Sequence, residues 1–171
     1  PLDGSTNASR GIPWYATALC AIDHGGLRAS LVVNQASRRD RYWATRGGGS
    51  FHNGKRISHS ECTDLRQAVI GISGLPKQKP NWAQFRANGA AALDICLVAE
   101  GALDGWIDYN THGVWDYLAS LLICEEAGVA IGEHNDYELL VTEHRQRRTP
   151  LVAATPELLS VLRELRKAHA N

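Results

Sequence analysis

The chain has 171 residues, of which 44% are hydrophobic and 21% charged, and its 18 basic side chains are balanced by 18 acidic ones. These values are typical of a globular domain of ordinary size, or of one and a half domains. Because the net charge is zero, no overall field favours nucleic acid or an anionic membrane, and neither is expected as a partner. The tight basic cluster at residues 145–148 (RQRR) is interpreted as a solvated loop, with an anion contact as the alternative.

The sequence contains no methionine and begins at Pro1. We therefore expect that the natural protein carries residues upstream of Pro1. No secretory signal peptide is apparent, and no apolar run is long enough to cross a bilayer.

The cysteines indicate a reducing compartment. None of the four forms a C-x-x-C pair. Three lie in apolar stretches and are predicted to be small buried thiols of a cytoplasmic protein, not disulfides or zinc ligands. These three are Cys20, Cys96 and Cys124.

Residues 1–64 predict the remainder of an N-terminal sheet domain, an antiparallel meander that follows a turn-forming motif. The motif is PLDGSTN, at residues 1–7. The predicted strands cover residues 14–23, 27–34 and 41–44. Tight hairpin turns are indicated by HGG at 24–26 and NG at 53–54.

Residues 65–171 predict a second, α/β domain. Strands are predicted at 68–72, 106–108 and 151–154, and helices at 89–100, at 115–127 and from Thr155-Pro156 onward. This alternation favours helices layered on a sheet. The helix at 115–127 shows apolar residues at helical spacing, which predict one buried face formed by Trp115, Leu118, Ala119, Leu122 and Ile123.

Two aspartates are candidate metal ligands. Hard cations such as Mg²⁺ prefer carboxylate and carbonyl oxygens. Asp3 lies in a turn rich in backbone donors, and Asp116 lies in the first turn of a predicted helix. Taken alone, each has a simpler interpretation, because an aspartate at a turn or a helix start is usually a cap.

The segment Gly4-Ser5-Thr6 is a candidate phosphate cradle, because successive N–H groups in a turn bind anions and glycine permits close approach. An ordinary turn is the simpler interpretation.

Asp108 follows a predicted strand and could accept hydrogen bonds from substrate hydroxyls. His112 stands close to Asp116 and is an alternative active-site neighbour, whereas Ser73 lacks the G-x-S-x-G context of a hydrolase nucleophile.

Taken together, four segments resemble the inositol monophosphatase family. The opening residues 1–7 are similar to the signature D-P-[IL]-D-G-[TS]-T-N without its leading Asp. Residues 115–128 (WDYLA…EAG) are similar to W-D-x-A-[AG]…E-A-G-G. Between them, residues 46–54 (RGGGSFHNG) are similar to the family's R-G-x-G-[AS]-x-x-N-G turn. Residues 89–92 with 103–105 are similar to its G-[ST]-A-A…D-A segment.

The resemblance implies an α/β (α+β) fold. The chain would be the C-terminal part of a layered α/β/α/β/α sandwich of the inositol monophosphatase and fructose-1,6-bisphosphatase type. It also implies hydrolysis of a small phosphate monoester with two or more Mg²⁺ ions, inhibition by Li⁺, no covalent intermediate, and a homodimer. The substrate could be an inositol phosphate, histidinol phosphate, a sugar bisphosphate or a 3′-phosphoadenosine nucleotide.

The resemblance also implies residue roles. Asp3, Asp116 and the Leu2 carbonyl would bind metal. Gly4 and Ser5 would offer N–H groups to the phosphate, and the Ser5 hydroxyl would orient the attacking water, so that catalysis rests on Asp3, Ser5 and Asp116. The alcohol side of the substrate would be lined by Gly89, Ala90, Ala91 and Asp108, the last standing where the family often has Glu.

The departures from the family pattern leave alternatives open. The aspartate expected before Pro1 is missing, as are the upstream metal ligands, so the chain alone is expected to be inactive while its parent is competent. Without upstream helices, one face of the first sheet should be uncovered, and its own upstream segment or a partner chain is expected there. The alternative functions are a non-catalytic binding or regulatory homologue and, third, a nucleic-acid-binding module.

Overall fold

The structure, a computed structural model, describes residues 2–37 and 40–170, with the backbone alone at positions 169 and 170. Pro1, the first residue of the predicted motif, lies outside the described residues. The elements of the N-terminal half are α1 (Ser5–Arg10), β1 (Ala16–Asp23), β2 (Gly26–Asn34), β3 (Arg41–Thr45), β4 (Gly49–His52) and β5 (Lys55–Arg56). They are followed by β6 (Val69–Ser73), β7 (Gln84–Arg86), α2 (Ala91–Ala99), β8 (Gly105–Asp108), α3 (Val114–Glu126), β9 (Ala130–Glu133), β10 (Pro150–Ala153) and α4 (Pro156–Ala170).

The first sheet confirms the predicted meander, because β1 to β5 lie side by side in chain order and pair antiparallel. The turn between β4 and β5 has Asn53 and Gly54 at φ 51° and 82°. Two successive left-handed residues are what a type I′ hairpin turn requires, and Asn-Gly supplies them at low cost. The short strands β4 and β5 themselves were not predicted.

The second sheet is mixed, with the order β7-β6-β8-β10-β9. Strand β6 pairs parallel with β7 and β8, whereas β10 pairs antiparallel with β8 and β9. The two edge strands β7 and β9 were not predicted. Each has only three or four residues, too few for a periodic pattern to stand out.

Helices α2 and α3 lie between the two sheets, and α4 covers the other side of the second sheet. The layers are therefore β/α/β/α, as expected for the C-terminal part of the predicted sandwich. The prediction that α3 buries one face is corrected, because all its residues from Tyr117 to Cys124 are buried. A helix that packs against a sheet on both sides has no solvent face over those turns.

The outer face of the first sheet is apolar. Strand register places Leu19, Leu31, Trp43 and Phe51 in one row across β1 to β4. The rings of Trp43 and Phe51 stack with centroids 4.2 Å apart, yet Trp43 is 37% exposed and Leu19 is 59% exposed. An uncovered face was expected on this sheet, and what occupies it stays a prediction.

The cysteine prediction is partly wrong. Cys96 and Cys124 are buried free thiols, but Cys20 is exposed. It lies in the distal half of the edge strand β1, where every residue from Leu19 to Asp23 is exposed, so the apolar character of the strand does not translate into burial. Within the described residues, no helix combines the length and apolar character needed to span a membrane.

The predicted domain boundary between residues 64 and 65 separates the two sheets along the chain. In space, however, buried residues of the first sheet form one hydrophobic cluster with α2 and α3. The division into two domains stays a prediction.

Candidate active site

The predicted phosphate motif is more than the turn that the sequence suggested. Asp3 exchanges two backbone hydrogen bonds with Ala16, of 3.0 and 2.9 Å. Gly4 has φ +75°, and a Cβ there would lie 2.9 Å from the carbonyl oxygen of Trp14. Only glycine fits such a position without strain. Ser5, which is exposed, then begins the six-residue helix α1, so the turn prediction is corrected to a glycine-capped helix start.

This motif meets the glycine-alanine segment that precedes α2. Oδ2 of Asp3 accepts a hydrogen bond of 2.7 Å from the backbone N–H of Ala92. A Cβ on Gly4 would lie 3.0 Å from that of Ala90, so the two backbones are in close contact. Gly89 enables the approach with a left-handed φ of +87°. Two segments predicted to share a site are therefore neighbours.

Asn7 holds the two segments together. Its buried side-chain amide donates to the carbonyl oxygens of Trp14 and Asn88, at 2.8 and 2.7 Å. Both bonds use the same Nδ2 atom, so one side chain fixes the spacing between the motif and the start of α2.

A cavity of about 190 Å³ opens beside these segments. Of the predicted site residues, it is lined by Asp3, Gly89, Ala90 and Ala91. The other lining residues include polar and aromatic side chains, among them Ser73, Asp94, Trp106 and His112. The lining thus combines small residues, which leave room for a ligand, with polar groups that can bind one.

Asp116 does not line the cavity but interacts with it electrostatically. It lies in the first turn of α3, where its N–H donates to the Gly113 carbonyl at 3.0 Å. Burial raises the pKa of Asp116 above its ordinary value. Burial also raises the pKa of Asp3 to about 6, and the negative charge of Asp116 adds to the rise. A carboxylate whose charge is disfavoured by burial and by a second carboxylate favours a bound cation.

These groups fit part of a Mg²⁺ site. Within residues 2–37 and 40–170, no three histidine, cysteine or acidic side chains cluster as metal ligands. The protein ligands on offer are the carboxylates of Asp3 and Asp116 and the carbonyl of the exposed Leu2. Mg²⁺ takes oxygen ligands and keeps several waters, so a small set of hard oxygens suits its chemistry without completing its shell.

Asp108, predicted to contact substrate, is fully buried and lies behind His112. Its Oδ2 is 2.7 Å from Nδ1 of His112, and its Oδ1 accepts a hydrogen bond of 2.9 Å from the N–H of Asn110. His112 lines the cavity and places Nε2 3.5 Å from the hydroxyl of Ser73. Asp108 itself does not line the cavity, but its carboxylate contacts His112, which does.

This pairing controls the charge of His112. Burial would lower the pKa of His112, but the hydrogen bond and charge of Asp108, together with the charges of Asp116 and Asp3, raise it above the ordinary value. The alternative interpretation of His112 as an active-site neighbour thus agrees with its position in the cavity wall.

Asp94 is a cavity residue that the sequence analysis missed. It accepts hydrogen bonds from Trp14 Nε1, at 2.8 Å, and Asn88 Nδ2, at 2.9 Å. Burial raises its pKa to about 7, and the charge of Asp3 adds to the rise. One signal could have revealed it, because Asp94 is the only charged residue in the otherwise apolar helix at residues 91–99.

The glycine turn at residues 46–54 has a structural role. The carboxylate of Glu126, at the end of α3, accepts hydrogen bonds from the N–H groups of Gly47 and Gly49, at 2.6 and 2.8 Å. Charge-assisted bonds of this kind are about twice as strong as neutral ones. They fasten the first sheet to the helix that carries Asp116.

Comparisons with known proteins find relatives that match almost the whole chain. The model of the inositol monophosphatase family matches residues 1–169. A putative Nus factor SuhB from Neisseria meningitidis is 32% identical over 184 residues, covering 99% of this chain and 67% of the relative. A fructose-1,6-bisphosphatase/inositol-1-monophosphatase from Archaeoglobus fulgidus is 32% identical over 174 residues, covering 98% of this chain and 68% of the relative.

Among solved structures, the extragenic suppressor protein SuhB from Bartonella henselae superposes with a TM-score of 0.82 at 26% identity, covering 98% of this chain and 70% of that one. The chain thus spans about two thirds of the length of these proteins. Family match, identity and fold agree with the four motifs and with the contacts between them. The chain belongs to the inositol monophosphatase family.

Proposed function

We propose that the natural protein containing these residues hydrolyses a small phosphate monoester, with Mg²⁺ as cofactor and water as the attacking group. One observation carries the proposal. The carboxylate of Asp3 is fixed by Ala92 at the wall of the cavity, and the negative charge of Asp116 adds to the rise of its pKa. Such a pair suits a divalent cation better than it suits a folding role, because buried like charges cost stability.

The proposed roles follow from position. Asp3, Asp116 and the Leu2 carbonyl would hold metal, and bound Mg²⁺ supplies charge neutralisation of the phosphate and a lowered pKa for water. Gly4 and Ser5 lie at the start of α1, where first-turn N–H groups have no acceptor inside the helix and can bind phosphate oxygens. The Ser5 hydroxyl would orient the attacking water.

The alcohol part of the substrate would lie against residues 89–91. Ala90 is fully buried and Ala91 nearly so, and both are small, so the wall that they form leaves space in the cavity. Asp108 would act by orienting His112. The Nε2 atom of His112 lies near the hydroxyl of Ser73, which also lines the cavity.

The test is phosphate release. The natural protein should release phosphate from at least one monoester in a panel of inositol, sugar, histidinol and nucleotide phosphates, and EDTA should abolish the release. Li⁺ is expected to inhibit. Absence of release from every substrate by a protein that is folded by circular dichroism contradicts the proposal.

The 171-residue chain should be assayed beside the natural protein. Two carboxylates and one carbonyl are too few protein ligands for two Mg²⁺ ions, so we expect the isolated chain to be inactive. Full activity of the isolated chain would show that no further ligands are needed.

The partners and location are proposed as well. We expect a small phosphorylated metabolite as the ligand, a homodimer in solution, a cytoplasmic location, and an upstream segment of the same protein on the outer face of the first sheet. Light scattering of the natural protein tests the dimer.

A second candidate comes from the names of the relatives. Several relatives about 32% identical are named Nus factor SuhB, and a Nus-factor role of the same protein is therefore a candidate beside catalysis. The prediction that nucleic acid is not a partner stays a prediction. A protein that lacks phosphatase activity but restores function in a strain without its own SuhB would favour this second role.

A further inference from the structure

Arg147 is held over an aromatic ring beside the candidate metal site. Its guanidinium carbon lies 4.9 Å from the ring centroid of Trp115. The same indole stacks on His144, with centroids 4.5 Å apart and planes 26° apart. Trp115 directly precedes Asp116 in the first turn of α3. The basic cluster at residues 145–148 is exposed from Arg145 to Arg147, as expected of a solvated loop, and the guanidinium of Arg147 also lies over the ring of Trp115.

The loop that carries Arg147 is tied to the cavity wall. The backbone of Arg148 exchanges two hydrogen bonds with that of His112, of 2.8 and 2.9 Å. His112 lines the cavity. Arg147 directly precedes the residue whose backbone is bonded to the cavity wall, and its guanidinium is positioned by the ring of Trp115.

The charge of Arg147 is not neutralised by a carboxylate. Other arginines pair with aspartates, as Arg46 does with Asp23 and Arg66 with Asp64. In the described part of the chain, Arg147 forms no ion pair, and its Nη1 donates to the backbone carbonyls of His144 and Gln146, at 3.0 Å each.

A guanidinium that is stacked on tryptophan loses little further freedom when it binds an anion. The stack fixes its plane, and the planar fork matches the oxygens of a phosphate or carboxylate. Hydrogen bonds at Nη1 orient the group, and no acceptor among residues 2–37 and 40–168 is bonded to its Nε or Nη2, which are available to a ligand. Because Mg²⁺ would already compensate the scissile phosphate, this second cation suits a second anionic group.

We propose that Arg147 selects substrates that carry a second anionic group, phosphate or carboxylate, in the alcohol part of the phosphate monoester. The inference rests on the proposed phosphatase function and narrows its substrate class. Arg147 acts by binding and not in the chemical step, so its removal should change discrimination between substrates.

The test uses matched pairs of substrates that differ only in the second anion. Glycerol 2-phosphate is compared with 2-phosphoglycerate, and fructose 1-phosphate with fructose 1,6-bisphosphate. The wild-type protein should prefer the second member of at least one pair in kcat/KM. Arg147→Ala should reduce that preference by about ten- to a hundredfold, as expected for losing hydrogen bonds to a charged group. Arg147→Lys should retain part of it.

Arg145→Ala is the matched control, because Arg145 lies in the same loop and is exposed like Arg147, but in the described part of the chain it does not lie over the ring of Trp115. It should leave the preference unchanged. An equal loss of kcat/KM for both members of each pair in Arg147→Ala would place the arginine on the scissile phosphate and overturn the proposal. So would the absence of any preference in the wild type.

Calorimetric binding of the same compounds to the natural protein with Mg²⁺ requires no turnover. If no substrate is hydrolysed, the proposed function fails, and the role of Arg147 is still tested. The proposal is supported if the wild-type protein binds the member with the second anionic group more tightly and Arg147→Ala loses this difference. Equal affinities of the two proteins for that member contradict it.

Discussion

The carboxylate of Asp3 accepts a hydrogen bond of 2.7 Å from the backbone N–H of Ala92, which lies 89 residues further along the chain. This contact places an acidic side chain at the N-terminus of α2, where the helix dipole favours a negative charge. Burial works against it and raises the pKa of Asp3 to about 6. The balance leaves a carboxylate that is ionised at neutral pH and remains available to a cation.

Buried carboxylates around the cavity should make the metal-free protein less stable as pH rises. Burial raises the folded-state pKa of Asp94 from its ordinary value of 3.8 to about 7. A raised folded-state pKa gives a contribution to stability that is present below about pH 4 and is lost as pH rises through about 7. The wild type should therefore lose stability relative to Asp94→Asn over that range.

Urea unfolding in EDTA at several pH values measures this difference. Comparison of the two proteins at each pH cancels the groups they share. Asp136→Asn is the control, because Asp136 is exposed, its ion pair with Arg163 lies outside the cavity, and its left-handed backbone is one that Asn also tolerates. A free-energy difference between wild type and Asp94→Asn that stays constant with pH would show that Asp94 is not buried as described.

Asp108 should set the pKa of His112. The hydrogen bond and charge of Asp108 raise that pKa against the effect of burial. Asp108→Asn is therefore expected to lower it. The stabilisation from the charged pair is present below about pH 6.5 and is lost as pH rises through the raised folded-state value, so the variant should lose stability mainly on the acid side.

NMR titration of the imidazole nitrogens in the metal-free protein measures the pKa of His112 directly. Asp136→Asn should leave the titration unchanged. An unchanged or higher pKa in Asp108→Asn would mean that the buried pair does not control the histidine.

The apolar outer face of the first sheet should cause self-association when the 171-residue chain is purified alone. Leu19→Thr and Trp43→Thr remove exposed apolar side chains from that face and keep β-compatible residues. Light scattering should show less association in both variants. In the natural protein the same substitutions should lower the free energy of unfolding by about 1–3 kcal/mol if an upstream segment covers the face.

Leu75→Thr is the matched control, because Leu75 is 72% exposed and lies outside the first sheet. It should alter neither property. Association of the short chain that is insensitive to Leu19 and Trp43 would remove the outer face as its cause.

Local chemistry explains which parts of the fold were predictable. The Asn53-Gly54 turn and the meander follow from residues that favour left-handed turns and extended strands. The ends of helices have local signals as well, since Gly128 after α3 has φ +84° and Thr155 Oγ1 accepts from the Leu158 N–H at the start of α4, at 3.3 Å. Each of these signals acts within a few residues.

The sequence alone does not predict contacts between segments that are far apart along the chain. The convergence of Asp3 with residues 89–91 came from resemblance to a family, because spacing along a chain does not say which loops meet. Asp94 was missed because Trp14, which donates a hydrogen bond to its carboxylate, lies 80 residues away in the sequence. The prediction that Cys20 is buried was wrong, because the composition of a strand does not show whether a neighbouring layer covers it.

The most direct test of the account is the turnover of Asp3→Asn in the natural protein with saturating Mg²⁺, beside Asp136→Asn as a control for the loss of one carboxylate. Because Asp3 is proposed as a metal ligand, kcat/KM should fall on the order of a hundredfold or more while the circular dichroism spectrum and the control activity stay unchanged. Turnover of Asp3→Asn within about twofold of the wild type would contradict the assignment of this site.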